Sequence, residues 1–327
     1  MSNASALETR LLKTIKKTIS TYKMFENSPR TVFIGFSGGK DSLVTALLLA
    51  KLGYLVHDLV IDMGTSLYDL SELREKSFNK GVKREIISVR NPAILNFLTN
   101  QEREDVLWRL NFLESLPKDS NSGCTHCYFV KMYVLYAVAK SRQGSSVVLG
   151  HHKDDMICSL LKCYWIDIYY KKFTKPHGIP YDGARMLGFM EERKEIDLAY
   201  LRDLVDNKLA ATDEPFVEDE TLPNGIKIYR PLGEVSVRDI VAYLETVGLR
   251  AAREACVFKN NWTATTRSFR LIVREDYHKR LSQKPELENE LFKLALLELS
   301  DKGTWLFRPR NTRDRNYPGF KPFIKKL

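Results

Sequence analysis

Cysteine is scarce in this chain, five in 327 residues, and the five are odd in number and unevenly spaced. The opening MSNASALETR has neither the basic n-region nor the apolar stretch of a secretory leader. Together these argue against a disulfide framework and leave metal, cluster or redox use for some of the thiols, in a chain whose expected location is cytoplasmic. No run of about 18 apolar residues occurs, so neither a spanning helix nor a membrane partner is expected. The GxxxxGK[ST] spacing of the Walker loop and the GxGxxG dinucleotide fingerprint are also missing, which removes support for kinase-like transfer and for hydride chemistry. There is no internal repeat.

What is present is an ordinary globular composition, 44% hydrophobic and 28% charged, long enough for one large domain or two average ones. Lys and Arg number 51 against 41 Asp and Glu, a net +10 that favours a polyanionic partner such as nucleic acid without requiring one.

Apolar spacing predicts an amphipathic helix over residues 6–25, within an N-terminal segment 1–29. The β-branched run Thr31 to Phe36 then reads as a buried strand, Ser42 to Leu52 as an apolar helix and Tyr54 to Met63 as a second strand. This βαβ pattern resumes with strands at 82–89 and 146–149 and helices around 92–115, 124–140 and 154–168, so the expected fold class is α/β, a doubly wound parallel sheet. The core so defined covers 30–168. Residues 169–225, with four prolines and the acidic stretch Asp213 to Glu220, read as an insertion or lid. A return to the core is expected over 226–258, with a strand at 226–229 and a helix at 236–247, followed by a basic, helical C-terminal extension over 259–327.

The most informative stretch is Phe36-Ser37-Gly38-Gly39-Lys40-Asp41-Ser42, between a buried strand and a helix start. Its glycines let backbone amides approach an anion, the helix N-terminus adds partial positive charge, and two serines supply hydroxyls, which makes a phosphate cradle. The string resembles the SGGxDS signature of the PP-loop ATP pyrophosphatase superfamily, with Lys40 in the variable position. That resemblance implies that Ser37, Gly38, Gly39, Lys40, Asp41 and Ser42 hold the pyrophosphate end of ATP and that Asp41 assists Mg²⁺. It also places Asp62, at the end of the second strand, at the sheet edge where adenine is expected.

Gly150-His151-His152-Lys153-Asp154-Asp155 follows the strand at 146–149 and brings imidazoles and carboxylates to that same edge; the plain alternative is a strand-to-helix loop with an Asp cap. The CxxC pair Cys124-Thr125-His126-Cys127 opens a predicted helix and suits half a zinc site, a redox pair, two ligands of a three-cysteine cluster or inert core thiols. Cys158 and Cys163 read as core, the alternative being a sulfur relay. In the order SGGKDS, CxxC, GHHKDD, Tyr229-Arg230-Pro231-Leu232 and a late Cys256, the chain resembles the 2-thiocytidine-forming tRNA sulfurtransferases. It departs from them where Cys256-Val257-Phe258-Lys259 replaces a CGSQ motif. The resemblance implies that Cys124, Cys127 and Cys256 hold a [4Fe-4S] cluster. It further implies that Gly150, His151, His152 and Asp155 line the ATP site, with Asp154 beside Asp41 at the magnesium.

Interleaved aromatic and basic residues near the C-terminus, Trp262, Arg267, Phe269, Arg270, Arg274, Trp305, Phe307, Arg308 and Arg310, suit stacking on unpaired bases, or form a solvated extension. The expected activity is therefore an ATP- and Mg²⁺-dependent tRNA sulfurtransferase that adenylates a base carbonyl and exchanges oxygen for sulfur. Its expected partners are tRNA and a sulfur donor such as a cysteine desulfurase, with a homodimer left open. The rival readings are a cluster-free amidating or lysidine-type PP-loop enzyme and a non-catalytic nucleotide-binding regulator.

Overall fold

A computed structural model describes residues 3–25, 30–64, 70, 82–118, 123–144, 146–177, 183–193, 195–205, 226–252, 256 and 269–300. The chain divides into two units, Met1–Met156 with Leu222–Ser268, and Ile157–Thr221 with Phe269–Leu327.

The first unit is built on five parallel strands, β1 (Thr31–Gly35), β2 (Leu55–Asp62), β3 (Val82–Ser88), β4 (Ser146–Val148) and β5 (Lys227–Tyr229), in the order β3-β2-β1-β4-β5. Val32, Ile34, Val56, Leu59, Val147 and Val148 are fully buried, as strands covered on both faces require. Helix α1 (Asn3–Thr21) precedes the sheet, and α2 (Lys40–Lys51) links β1 to β2. Between β3 and β4 lie α3 (Pro92–Leu95), α4 (Asn100–Ser115) and α5 (Gly123–Ser141). Right-handed crossovers put α2 and α5 on opposite faces, because the chain moves outward from β1 through α2 and returns across the sheet through α5. Thr99 and Glu102 close a capping box at the start of α4, and Asn91 caps α3 ahead of Pro92.

The strand order reverses between β1 and β4. At such a switch point the loops leaving two neighbouring strands diverge to opposite faces and open a crevice at the carboxyl edge. The loop after β1 is Ser37–Gly39 and the loop after β4 is 149–152, so the two most distinctive sequence strings face one another there.

Helix α1 stops earlier than its periodicity predicts. Lys23 and Phe25 adopt left-handed φ values of 50° and 66°, and the Phe25 ring lies 5.1 Å from Tyr54 and 4.7 Å from Tyr229. Burying that ring against the sheet outweighs continuing the helix. Glu8 of α1 bonds to Lys51 of α2 and accepts from Tyr243 at 3.2 Å, and Arg10 pairs with Asp239 at 2.6 Å.

The second unit is helical. It begins within α6 (Lys153–Tyr169), which continues through a π-turn at Tyr170–Thr174, and includes α7 (Gly183–Glu192), α8 (Leu198–Asp203), α10 (Phe269–Gln283) and α11 (Leu287–Ser300); α9 (Val237–Thr246) belongs to the first unit. Trp165, Tyr164, Tyr277 and Leu291 fill its core with Cys158. Arg280 donates to the carbonyls of Met190 and Arg193, and the Asp197 amide donates to the Tyr164 hydroxyl at 2.8 Å. Among the described residues no helix is long and apolar enough to cross a membrane.

One buried charge in the sheet carries a measurable consequence. Asp58 of β2 is fully buried beside Arg84 of β3; its Oδ2 accepts from Arg84 at 3.3 Å, while its Oδ1 has no hydrogen-bond partner. Burial pushes this carboxyl from its usual 3.8 up to about 7, against the opposing pull of Arg84. Folded Asp58 thus keeps its proton to higher pH than the unfolded chain does. Stability should fall as pH rises from about 4 toward 7, by at most ~1.4 kcal/mol per pH unit. Urea midpoints measured between about pH 4.5 and 7 should show wild type losing stability relative to Asp58→Asn, which cannot ionise. Parallel profiles would refute this account.

Candidate functional site

The loop after β1 folds onto its own hydroxyls. Gly38 stands at φ +79°, a conformation that favours glycine, and its carbonyl accepts the Ala252 amide at 2.9 Å. The Gly39 amide donates to Ser37 Oγ at 3.3 Å, Ser42 Oγ donates to the Gly39 carbonyl at 3.0 Å, and the Ser37 amide donates to Ser42 Oγ at 3.3 Å. Helix α2 starts directly after Gly39, which offers no side-chain cap. Its first-turn amides and its dipole therefore point toward an anion. Lys40 Nζ lies 2.7 Å from Asp41 Oδ1.

The loop after β4 presses against this turn. A Cβ on Gly150 would lie 2.7 Å from the Ser42 amide nitrogen and 2.8 Å from the Asp41 carbonyl carbon, so only glycine lets the two backbones approach. His152 is 1% exposed, and its ring nitrogens stand 3.5 Å from Asp41 Oδ1 and 3.4 Å from an oxygen of each of Asp154 and Asp155. Neither ring nitrogen forms a hydrogen bond. Asp154 accepts the Val237 amide at 2.9 Å and Asp155 accepts the His152 amide at 3.2 Å, so both carboxylates help to fold the loop as well as charging it.

Arg230, directly after β5, bonds to this loop. It is 2% exposed and its Nε donates to His151 Nδ1 at 3.2 Å. Burial is the dominant influence and lowers its pKa, opposed by Tyr128 and Tyr136 of α5 and by Asp155. The sequence marked this segment only as an RPL run. An arginine immediately past a strand's carboxyl end was the available signal.

The other expected residues are placed as follows. Asp62 ends β2 at the same edge, its Oδ1 accepting the Gly64 amide at 2.9 Å. Cys124 and Cys127 fall three residues apart in the first turns of α5. Cys127 is partly exposed; the Cys124 side chain lies outside the described residues. Cys256 is partly exposed and follows Ala252 by four residues, which tethers it within roughly 17 Å of Gly38. Among the described residues no three Cys, His, Asp or Glu side chains group as ligands of one metal ion. Trp262, Arg267, the acidic stretch 213–220 and the basic tail from Trp305 onward lie outside the described residues.

The donor sets suit the groups that the sequence implied. A glycine-only approach, a bare helix N-terminus and the hydroxyls of Ser37 and Ser42 fit a polyphosphate, and the carboxylate of Asp41 at the same turn suits a cation bound together with that polyphosphate. Three thiols suit iron-sulfur ligation by their chemistry.

A five-stranded parallel sheet with SGGKDS at its switch point is the arrangement on which the comparisons with known proteins bear. The chain is similar to tRNA 2-sulfurtransferases. It is 26% identical over 269 residues to the tRNA-5-methyluridine(54) 2-sulfurtransferase of Pyrococcus horikoshii, covering 81% of this chain and 67% of that protein. It is 28% identical over 211 residues to tRNA-cytidine(32) 2-sulfurtransferase 1 of Francisella philomiragia, covering 60% and 72%. In fold it resembles the U34-tRNA thiolase NcsA from Methanococcus maripaludis, solved with its [4Fe-4S] cluster, at TM-score 0.53 and 18% identity over 90% of this chain and 80% of that one. No protein-family model matches the chain.

The close approach at Gly150 is testable. Gly150→Ala should weaken ATP binding about tenfold, equivalent to ~1.4 kcal/mol, when measured by titration calorimetry. Gly188→Ala, whose added Cβ meets nothing within 4 Å, should bind as wild type does. Unchanged affinity in Gly150→Ala would exclude this loop from the nucleotide site.

Proposed function

We propose that this chain is an ATP-dependent tRNA sulfurtransferase that adenylates a nucleobase carbonyl and replaces its oxygen with sulfur. The observation that carries the reading is Arg230. Its buried guanidinium donates to His151 in the loop after β4, and helix α5, which carries the CxxC pair and precedes the parallel strand β4, starts at the carboxyl edge of the sheet, so a phosphate-binding loop and the CxxC turn belong to one sheet edge. The sulfurtransferase relatives and the thiolase neighbour support the same assignment.

In this mechanism Ser37, Gly38, Gly39, Lys40 and Ser42 grip the β- and γ-phosphates. The base carbonyl oxygen attacks the α-phosphorus, the bond to pyrophosphate breaks, and the amides at the start of α2 stabilise the departing charge. Because His151 Nδ1 accepts from Arg230, its Nε2 carries the proton and donates to a phosphate oxygen. Asp41 and Asp154 would hold Mg²⁺, which neutralises phosphate charge when bound. Asp62 lies where the second strand ends and borders the adenine side, while His152 and Asp155 hold the Gly150 loop in register.

Adenylation converts a poor oxygen leaving group into AMP, so that sulfur can displace it. Cys124, Cys127 and Cys256 would hold a [4Fe-4S] cluster, which supplies an iron position for sulfur when bound. The sulfur is delivered by a donor such as a cysteine desulfurase. Helix α5 presents Cys127 partly exposed, within reach of such a donor and of the RNA.

Protein purified without oxygen should show a broad visible band and contain iron and sulfide, and should thiolate tRNA with ATP. Cys124→Ala and Cys256→Ala should each lose iron and thiolation while binding ATP as wild type does. An iron-replete, active variant would remove that cysteine from the ligand set. A colourless wild type, inert toward tRNA after anaerobic reconstitution, would favour a cluster-free PP-loop ligase.

A further inference from the structure

Helix α4 carries an aromatic face that its own packing does not require. Val106, Leu110 and Leu113 are buried and supply its core contacts, whereas Trp108 is 47% exposed. Trp108 stacks on Phe112 at 5.8 Å with only 15° between the ring planes, and both rings meet His126, at 5.5 Å and 4.5 Å. Arg109 completes the group. Its Nε donates to Asp105 at 2.7 Å, its Nη1 lies 3.1 Å from His126 Nδ1, and its guanidinium carbon stands 5.7 Å from the Trp108 ring and 4.6 Å from that of Phe129.

The location matters because His126 is the third residue of Cys124-Thr125-His126-Cys127. A helix that precedes a parallel strand runs from the carboxyl edge of the sheet to its amino edge. The start of α5 therefore lies at the edge that holds the phosphate loop. Residues 109 and 112 of α4 meet residues 126 and 129 of α5, while Asp105 and Glu102 act on Tyr133, so the two helices are antiparallel and the aromatic face flanks the CxxC turn.

We infer that Trp108, backed by Phe112 and His126, is a stacking face for an unpaired nucleobase of the RNA substrate beside the CxxC turn. This deepens the proposed function and rests on it. Chemistry on a base requires that base to leave its stack, and a flat aromatic surface beside the reaction centre replaces the stacking that is lost. The face is already rigid, since Phe112 fixes the indole plane and the Arg109 bonds fix His126, so little ordering remains to be done on binding. A guanidinium next to the rings and a chain charge of +10 complement a nucleic acid.

The test uses full-length protein, an unmodified tRNA transcript and inorganic sulfide as the sulfur source. Trp108→Leu keeps apolar bulk and removes the large π-face; Trp108→Phe keeps an aromatic ring. Trp108→Leu should weaken transcript binding and raise the KM for RNA about tenfold, with ATP affinity, iron content and melting temperature unchanged, whereas Trp108→Phe should retain most of the binding. If wild type thiolates tRNA and Trp108→Leu matches it in RNA affinity and KM, the stacking face is refuted and the function stands. A defect that appears with a cysteine desulfurase as donor but not with sulfide also refutes it, and assigns the face to a protein partner. If wild type neither binds nor thiolates tRNA, the functional reading fails and this inference falls with it.

Discussion

No side chain fits between Gly150 and the first turn of α2, and the site is organised around that approach. β1 and β4 are neighbours in the sheet, so the turns that leave them must diverge or collide, and a glycine at the contact lets the second loop lie on the backbone of the first. Asp41, at the start of α2, then comes within ion-pair distance of His152, and the carboxylates of Asp154 and Asp155 close around the same imidazole. An uncapped helix N-terminus and the carboxylates of Asp41, Asp154 and Asp155 are thus held side by side by backbone proximity.

Arg230 extends this arrangement across the sheet. Taking a guanidinium out of water costs several kcal/mol unless its partners are in place, and here His151 of the loop after β4 accepts from it, with the negative charge of Asp155 in the same loop opposing the effect of burial. Losing His151 would leave a buried charge short of a partner, so the residue after β5 and the loop after β4 are held together. The Ala252 amide on the Gly38 carbonyl anchors the segment that leads to Cys256.

The loops at the switch point were legible because their chemistry is local. SGGKDS is a turn followed by a helix start, the apolar runs around it are strands, and the alternation of strand and helix leaves few topologies for a parallel sheet. The early end of α1 was not legible, because Phe25 is drawn away by rings at Tyr54 and Tyr229 that no window around residue 25 contains. Nor was the double duty of Asp154 and Asp155, each of which accepts a backbone amide and also faces His152.

Residue order alone points to the class of chemistry here: a glycine turn with hydroxyls after a strand suits phosphate wherever the strand lies, and a CxxC at a helix start offers two thiols one turn apart. It does not say that Arg230 would be buried beside His151, or that Trp108 would stand exposed beside the CxxC turn while Val106 and Leu110 are covered. Those outcomes depend on the strand order β3-β2-β1-β4-β5 and on the antiparallel pairing of α4 with α5. Local conformation follows from neighbours in the chain, whereas desolvation and charge pairing follow from neighbours in space, and folding brings together residues as distant as 235 positions, from Glu8 to Tyr243.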